Sequence, residues 1–332
     1  MKVIFFDSKT YDKESFTKEL VNYPDVEVKF LKTELTVNTA ELAHGYDAVC
    51  AFVSADICGE TIDILHECGV KFILLRCAGF NNVDLNAAAT AGITVVRVPA
   101  YSPYAVAEYT VALMLSLNRK IPRASWRTKD GNFSLHGLMG FDMHGKTAGI
   151  IGTGKIAKIL IHILKGFGMN VLAYDLYPDY NFAREEQIVY TSLDELYHSS
   201  DIISLHCPLT EETKYLINDY SISKMKDGVM IINTGRGQLI HTNALIEGLK
   251  NKKIGSAGLD VYEEESEYFY EDQSDRIIDD DVLARLLSFN NVIVTSHQAF
   301  FTREAMENIA MTTLQNIKDF INHKPLLNEV KR

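Results

Sequence analysis

Short apolar runs recur along this chain, each suited to a buried strand and each followed by a stretch with helical spacing. Residues 3–6, 26–30, 48–53, 72–75 and 94–98 form a first series, and 171–174, 202–205, 229–232, 254–259 and 292–295 a second. Continuous apolar runs alternating with helical patterns mark parallel sheets covered on both faces. The pattern therefore predicts an α/β fold with two doubly wound parallel sheets. The joint is placed near 99–103, where Pro99 and Pro103 bracket a turn. Beyond it, 105–117 is apolar almost all round, which predicts a helix buried between domains or subunits. The last helix, about 302–322, carries Ala305, Ile309, Leu314, Ile317, Phe320 and Ile321 at helical spacing, a stripe that needs a partner in the first domain. Residues 263–281, rich in Glu and Asp with scattered aromatics, are expected as a surface loop.

Between the two series lies GIIGTGKIAKILIHILKGFGMNVLAYD, residues 149–175. A strand closes at Ile151, and Gly152 permits a tight turn. Gly154 lets backbone N–H groups approach a pyrophosphate, and Ala157 is small enough for helix and strand to pack closely. The helix starts near Lys155 with its positive end toward the phosphates, and Ile156, Ile159, Leu160, Ile163 and Leu164 form its core-facing stripe. The next strand ends in Asp175, whose carboxylate suits the adenosine ribose. A plain strand-to-helix turn would explain the glycines alone, but not the strand, helix and acid together. No basic residue follows Asp175 at once, so a 2′-phosphate would meet uncompensated like charge and NAD is preferred to NADP.

A length of 332 residues and 47% hydrophobic composition suit two cores, and a net charge of −11 argues against nucleic acid or anionic membrane as a partner. No apolar run reaches membrane-spanning length. Cys50, Cys58, Cys68, Cys77 and Cys207 contain no C-x-x-C pair and are expected as thiols in a reducing, cytoplasmic compartment. The ten histidines form no metal-ligand spacing, and no metal is expected.

Three later strands each run into a polar residue: Arg236 in Asn233-Thr234-Gly235-Arg236-Gly237, an acidic run after Asp260, and His297 after Thr295-Ser296. Open α/β sheets bind ligands at such carboxyl ends. Arg236 has the fork for a carboxylate, and His297 can exchange a proton near neutral pH beside a carboxylate such as Glu265. The set suits hydride transfer to a 2-keto acid. Each residue also has a plainer reading, Arg236 as a surface ion pair and His297 as the cap of a strand, and Glu263, Glu264 and Glu267 compete with Glu265.

These stretches, with LRCAGFNNVDL at 75–85, VPAYSPYAVAEY at 98–109, HCPLT at 206–210, LDVYEEE at 259–265 and TSHQAF at 295–300, resemble the D-isomer-specific 2-hydroxyacid dehydrogenases over essentially the whole chain. The resemblance implies a Rossmann NAD-binding domain, 101–299, inserted into a flavodoxin-like substrate domain of 1–100 and 300–332. It implies Arg236, Glu265 and His297 as the catalytic set, with Ala78, Gly79 and Tyr101 also at the substrate. Toward NAD it implies Gly152, Gly154, Lys155, Ile156, Asp175, Cys207, Pro208, Thr213, Thr234, Gly235, Arg236 and Asp260. NADH-dependent reduction of pyruvate to D-lactate is the first expectation, in a homodimer, or a higher homo-oligomer, built around the helix after the joint. A bulkier 2-keto acid such as 2-ketoisocaproate, phenylpyruvate or 2-ketoglutarate is an alternative. A non-enzymatic, NAD-sensing protein like the corepressors of this fold is another.

Overall fold

The computed structural model describes residues 1–264, 268–270 and 272–331. The chain forms two compact units, Met1–Ser102 with Phe301–Arg332, and Pro103–Phe300. In the first, β1 (Lys2–Phe5), β2 (Glu27–Phe30), β3 (Ala48–Ala51), β4 (Phe72–Leu75) and β5 (Thr94–Arg97) alternate with α1 (Thr10–Leu20), α2 (Gly59–Glu67) and α3 (Leu85–Thr90). The strands are all parallel, in the order β2-β1-β3-β4-β5, which is the flavodoxin-like arrangement. Every residue of β3 and β4 is buried, as their unbroken apolar runs require.

The C-terminal helix, Arg303–Ile321, starts where the sequence places it, with the Thr302 side chain accepting from Ala305 N. It packs back on this unit. Phe320 stacks on Phe72 at 4.2 Å and Lys18 pairs with Glu307. The tail beyond it bridges β5, Val330 N donating to Val95 O at 2.9 Å.

The second unit opens with α4 (Pro103–Arg119) and α5 (Ile121–Lys129). Its strands are β6 (Thr147–Ile151), β7 (Asn170–Tyr174), β8 (Val189–Tyr190), β9 (Ile202–Leu205), β10 (Val229–Asn233), β11 (Ile254–Leu259) and β12 (Val292–Val294). Between them run α6 (Lys155–Gly166), α7 (Tyr180–Glu186), α8 (Leu193–Ser199), α9 (Asp219–Lys224), α10 (Thr242–Lys250) and α11 (Asp281–Leu287). The parallel sheet has the order β12-β11-β10-β9-β6-β7-β8. Read from the β8 edge this is the Rossmann order, with β12 added and the switch point between β6 and β9. The two-residue β8 carries no periodicity to be read from sequence.

The apolar helix α4 packs within its own unit against α6 and strands β10 to β12. Its Val111, Leu113, Met114 and Leu117 are buried, each contributing about 1.5–3 kcal/mol of transfer free energy. Gly258 of β11 makes room for it, since a Cβ there would stand 3.0 Å from Leu117 Cδ1. The buried face of α6 is Ala157, Leu160, Ile161 and Leu164, a slight rotation from the expected stripe, with Ile156, Ile159 and Ile163 at its margins. The acidic stretch after β11 is not merely a surface loop. Its Tyr268, Phe269 and Ile278 pack on the core, because the scattered aromatics have apolar surface to bury.

Candidate active site

The turn between β6 and α6 is fixed by sterics. Gly152 has φ +88°, and a Cβ there would lie 2.6 Å from Cys207 N at the end of β9. Gly154 is different: its Cβ would meet no protein atom within 4 Å, so this side of the turn has room for a ligand's phosphates. Gly154 is the N-cap of α6 and supplies no side-chain cap, so the first-turn N–H groups of the helix are offered to that space. Lys155 is exposed beside it and Ile156 is partly buried.

At the end of β7, Asp175 Oδ2 accepts from Thr153 N at 2.6 Å and Thr153 Oγ1 at 2.8 Å, and Oδ1 accepts from Tyr177 N at 2.9 Å. Burial works to raise this carboxyl, but the bonds from Tyr177, Thr153 and Leu176 together hold it below the usual carboxylate range. Since the Thr153 hydroxyl donates to Asp175, it accepts from Tyr190 Oη at 2.9 Å, and Tyr190 Oη accepts in turn from Asp179 N. Asp179 pairs with Lys158 at 2.5 Å, which neutralises a cation in this network. An ionised, aimed Asp175 and an open glycine turn fit NAD.

Beyond β9, His206 Nε2 meets Ser204 Oγ at 2.8 Å, and burial pushes the imidazole down to about 4. Cys207 follows, its thiol pushed up to about 11 by burial, with Asp175 adding to the rise. Pro208 is exposed. Thr213 lies in the turn that follows, where its hydroxyl donates to Pro208 O at 2.7 Å and accepts from Thr210 N at 2.8 Å.

Strands β10, β11 and β12 are neighbours with the register Asn233↔Leu259↔Val294, so their carboxyl ends lie side by side. Asn233 is buried and closes the arginine turn, its Nδ2 donating to Arg236 O and its Oδ1 accepting from Gly235 N. Thr234 meets Thr110 of α4, hydroxyl to hydroxyl, at 3.0 Å. Arg236 is partly buried and one Nη donates to Gly235 O, leaving the rest of its fork to a ligand. Gly237 admits no side chain, as a Cβ would stand 2.0 Å from Tyr262 O.

The resemblance puts Asp260 beside the cofactor, at the end of β11. Asp260 is fully buried, and its oxygens accept from Thr295 Oγ1 at 2.6 Å, Gln298 N at 2.9 Å and Ala299 N at 2.7 Å. Its carbonyl accepts from His297 N at 2.7 Å. Asp260 thus holds the histidine segment against β11. His297 itself has φ +51°, uncommon for a residue with a Cβ and a mark of backbone held for a purpose. Tyr270 faces it, with ring centroids 6.1 Å apart.

Of the acidic run, Glu263 caps α10 by accepting from Thr242 N at 2.8 Å and hydrogen-bonds Tyr215. Glu265 lies outside the described residues. In the first unit, Ala78 and Gly79 form the turn after β4, and Tyr101 is held by its carbonyl, which accepts from Asn308 Nδ2 at 2.7 Å. Sequence reasoning missed His206, the Tyr190–Thr153 link and the anchoring role of Asn233. Only Asn233 left a signal, as an Asn two residues before a strand-end glycine.

The Rossmann order, the glycine turn and the acid at the end of β7 define an NAD-binding α/β protein, and the polar ends of β10 to β12 place it among dehydrogenases. The model for the D-isomer specific 2-hydroxyacid dehydrogenase NAD binding domain matches residues 111–299. The chain is 51% identical over 330 residues to the D-lactate dehydrogenase of Escherichia coli, covering 99% of this chain and 100% of that protein. Among solved structures, the apo form of D-lactate dehydrogenase from Escherichia coli aligns with a TM-score of 0.91 at 49% identity, covering 100% of each chain. The pyruvate reductase of Chlamydomonas reinhardtii aligns with a TM-score of 0.93 at 44% identity, covering 99% of this chain and 98% of that one. This chain belongs to the D-isomer specific 2-hydroxyacid dehydrogenase family.

Proposed function

We propose that this protein is an NAD-dependent D-lactate dehydrogenase, interconverting pyruvate and D-lactate. The observation that carries the reading is the joined set of strand ends, where Asp260 ties the His297 segment to β11 and Gly237 lets the Arg236 turn touch the next segment. Bound NADH supplies the hydride that reduces the keto carbon. Arg236 forks onto the carboxylate and the keto oxygen, stabilising negative charge as it develops there. His297 gives its proton to that oxygen in reduction and takes one from the hydroxyl in oxidation, so the two directions have opposite pH limbs. Glu265 orients the imidazole. In the first unit, Ala78 and Gly79 offer backbone N–H groups to the carboxylate and Tyr101 contributes to the pocket. Gly152, Gly154, Lys155 and Ile156 serve the pyrophosphate, and Asp175 the ribose. Cys207, Pro208, Thr234 and Gly235 line the cofactor's path.

The test is a steady-state panel of pyruvate, 2-ketoisocaproate, phenylpyruvate and 2-ketoglutarate with NADH, with the product's configuration determined. Pyruvate is expected to give the highest kcat/KM and the D isomer of lactate. A bulkier acid reduced far better would change the substrate and keep the mechanism.

A homodimer accompanies this reading. Trp126, Leu135 and Met139 are 69%, 83% and 87% exposed, beside exposed Ile121 and Phe133. The arm that carries them is ordered on α5, with Arg127 donating to His136 O and Ser134 O. An ordered arm of large exposed apolar side chains suits a second copy of the chain.

A further inference from the structure

The turn after β4 is laced to its surroundings by carbonyl groups. Cys77 O accepts from Val98 N at 3.1 Å, Ala78 O from Arg97 Nη1 at 2.7 Å, and Gly79 O from Cys77 Sγ at 3.3 Å. Among the described residues, the Ala78 and Gly79 N–H groups donate to no protein acceptor. A peptide unit is planar and trans, so its C=O and N–H point in opposite directions. Fixing Ala78 O on the guanidinium therefore fixes the direction of the Gly79 N–H, away from Arg97. A cation on the carbonyl also polarises the peptide, which makes that N–H a stronger donor.

We propose that Arg97 is a positioning residue for substrate: by holding the Ala78 carbonyl it aims and strengthens the Gly79 N–H that receives the carboxylate. The proposal rests on the reading of Ala78 and Gly79 as the carboxylate-binding turn. Arg97 is well placed for this because it is itself braced. Its guanidinium lies 4.9 Å over the Phe80 ring, its carbonyl accepts from Asn316 Nδ2 at 3.2 Å, and its N–H donates to Asn328 O at 3.1 Å. A flexible side chain would have to be ordered each time substrate bound. This one is ordered in advance.

The experiment compares the wild-type enzyme with Arg97→Met, which keeps an apolar stem on Phe80 and loses the donors, and Arg97→Lys, which keeps a charged donor group. Pyruvate KM, NADH KM, kcat and inhibition by oxamate, a pyruvate isostere that retains the carboxylate, are measured for each. Arg97→Met is expected to raise pyruvate KM and the oxamate inhibition constant at least about tenfold, the scale of a lost charged hydrogen bond. Its kcat and NADH KM should stay within about twofold, and Arg97→Lys should recover part of the loss. A fall in kcat at unchanged pyruvate KM, as fewer folded molecules would give, overturns the proposal. So does an unchanged variant. A wild-type protein that reduces no 2-keto acid overturns the functional reading and this inference with it.

Discussion

Gly154 and Gly237 are both glycines in turns that follow strands, yet a methyl group has opposite consequences at the two. At Gly154 it meets no protein atom within 4 Å, while at Gly237 it would stand 2.0 Å from a backbone oxygen. Gly154→Ala should therefore cost stability no more than about 1 kcal/mol, the loss of a tolerated N-cap, while weakening NADH binding by at least about tenfold as the methyl occupies the phosphate side. Gly237→Ala should lower stability by about 3 kcal/mol or more, because backbone must move. Thermal melts and NADH titration separate the two. The acidic run gives a second contrast. Glu265→Gln should move the alkaline limb of kcat/KM for reduction to lower pH, since it removes the charge that favours a protonated partner. Glu263→Gln should leave that limb in place and lower the melting temperature, because Glu263 caps α10. A shifted limb in the Glu263 variant would reassign the carboxylate.

Element by element, the strand ends do the chemistry and the elements behind them set its tolerance to pH. His206 follows β9, and its imidazole is pushed from 6.5 down to about 4 by burial. The folded state then resists binding a proton that the unfolded chain takes up readily. Stability from this group is complete above about pH 6.5 and declines as pH falls toward 4, by at most about 3 kcal/mol. Melting curves at pH 7 and pH 5 should diverge for the wild type and converge for His206→Gln. Most strands were legible along the chain because parallel strands buried on both faces, such as β3 and β4, read as unbroken apolar runs. The two-residue β8 and the inward packing of Tyr268 and Phe269 were not, since neither leaves a period along the chain.

For the whole molecule, the exposed arm after α5 makes the proposed assembly the property most open to a single change. Across a two-fold interface one substitution is felt twice. Leu135→Asp should convert the proposed dimer to monomer in sedimentation velocity, and an unchanged mass would overturn this interface. What the sequence alone determined were features written locally: the glycine turn and its acid, the strand rhythm, the residues at three strand ends and the apolar helix α4. Periodicity, turn sterics and charge act over a few residues, so they survive in one dimension. Only the tertiary structure decided which of those residues face a ligand and which face the protein. Asp260 lies next to a candidate site in sequence, yet its carboxylate accepts from backbone N–H groups some forty residues away, at Gln298 and Ala299. Glu263 is likewise claimed by α10, and Arg97 reaches across from β5 to the turn after β4. A hydrogen-bond acceptor is chosen by distance in space, and no spacing along the chain encodes that choice.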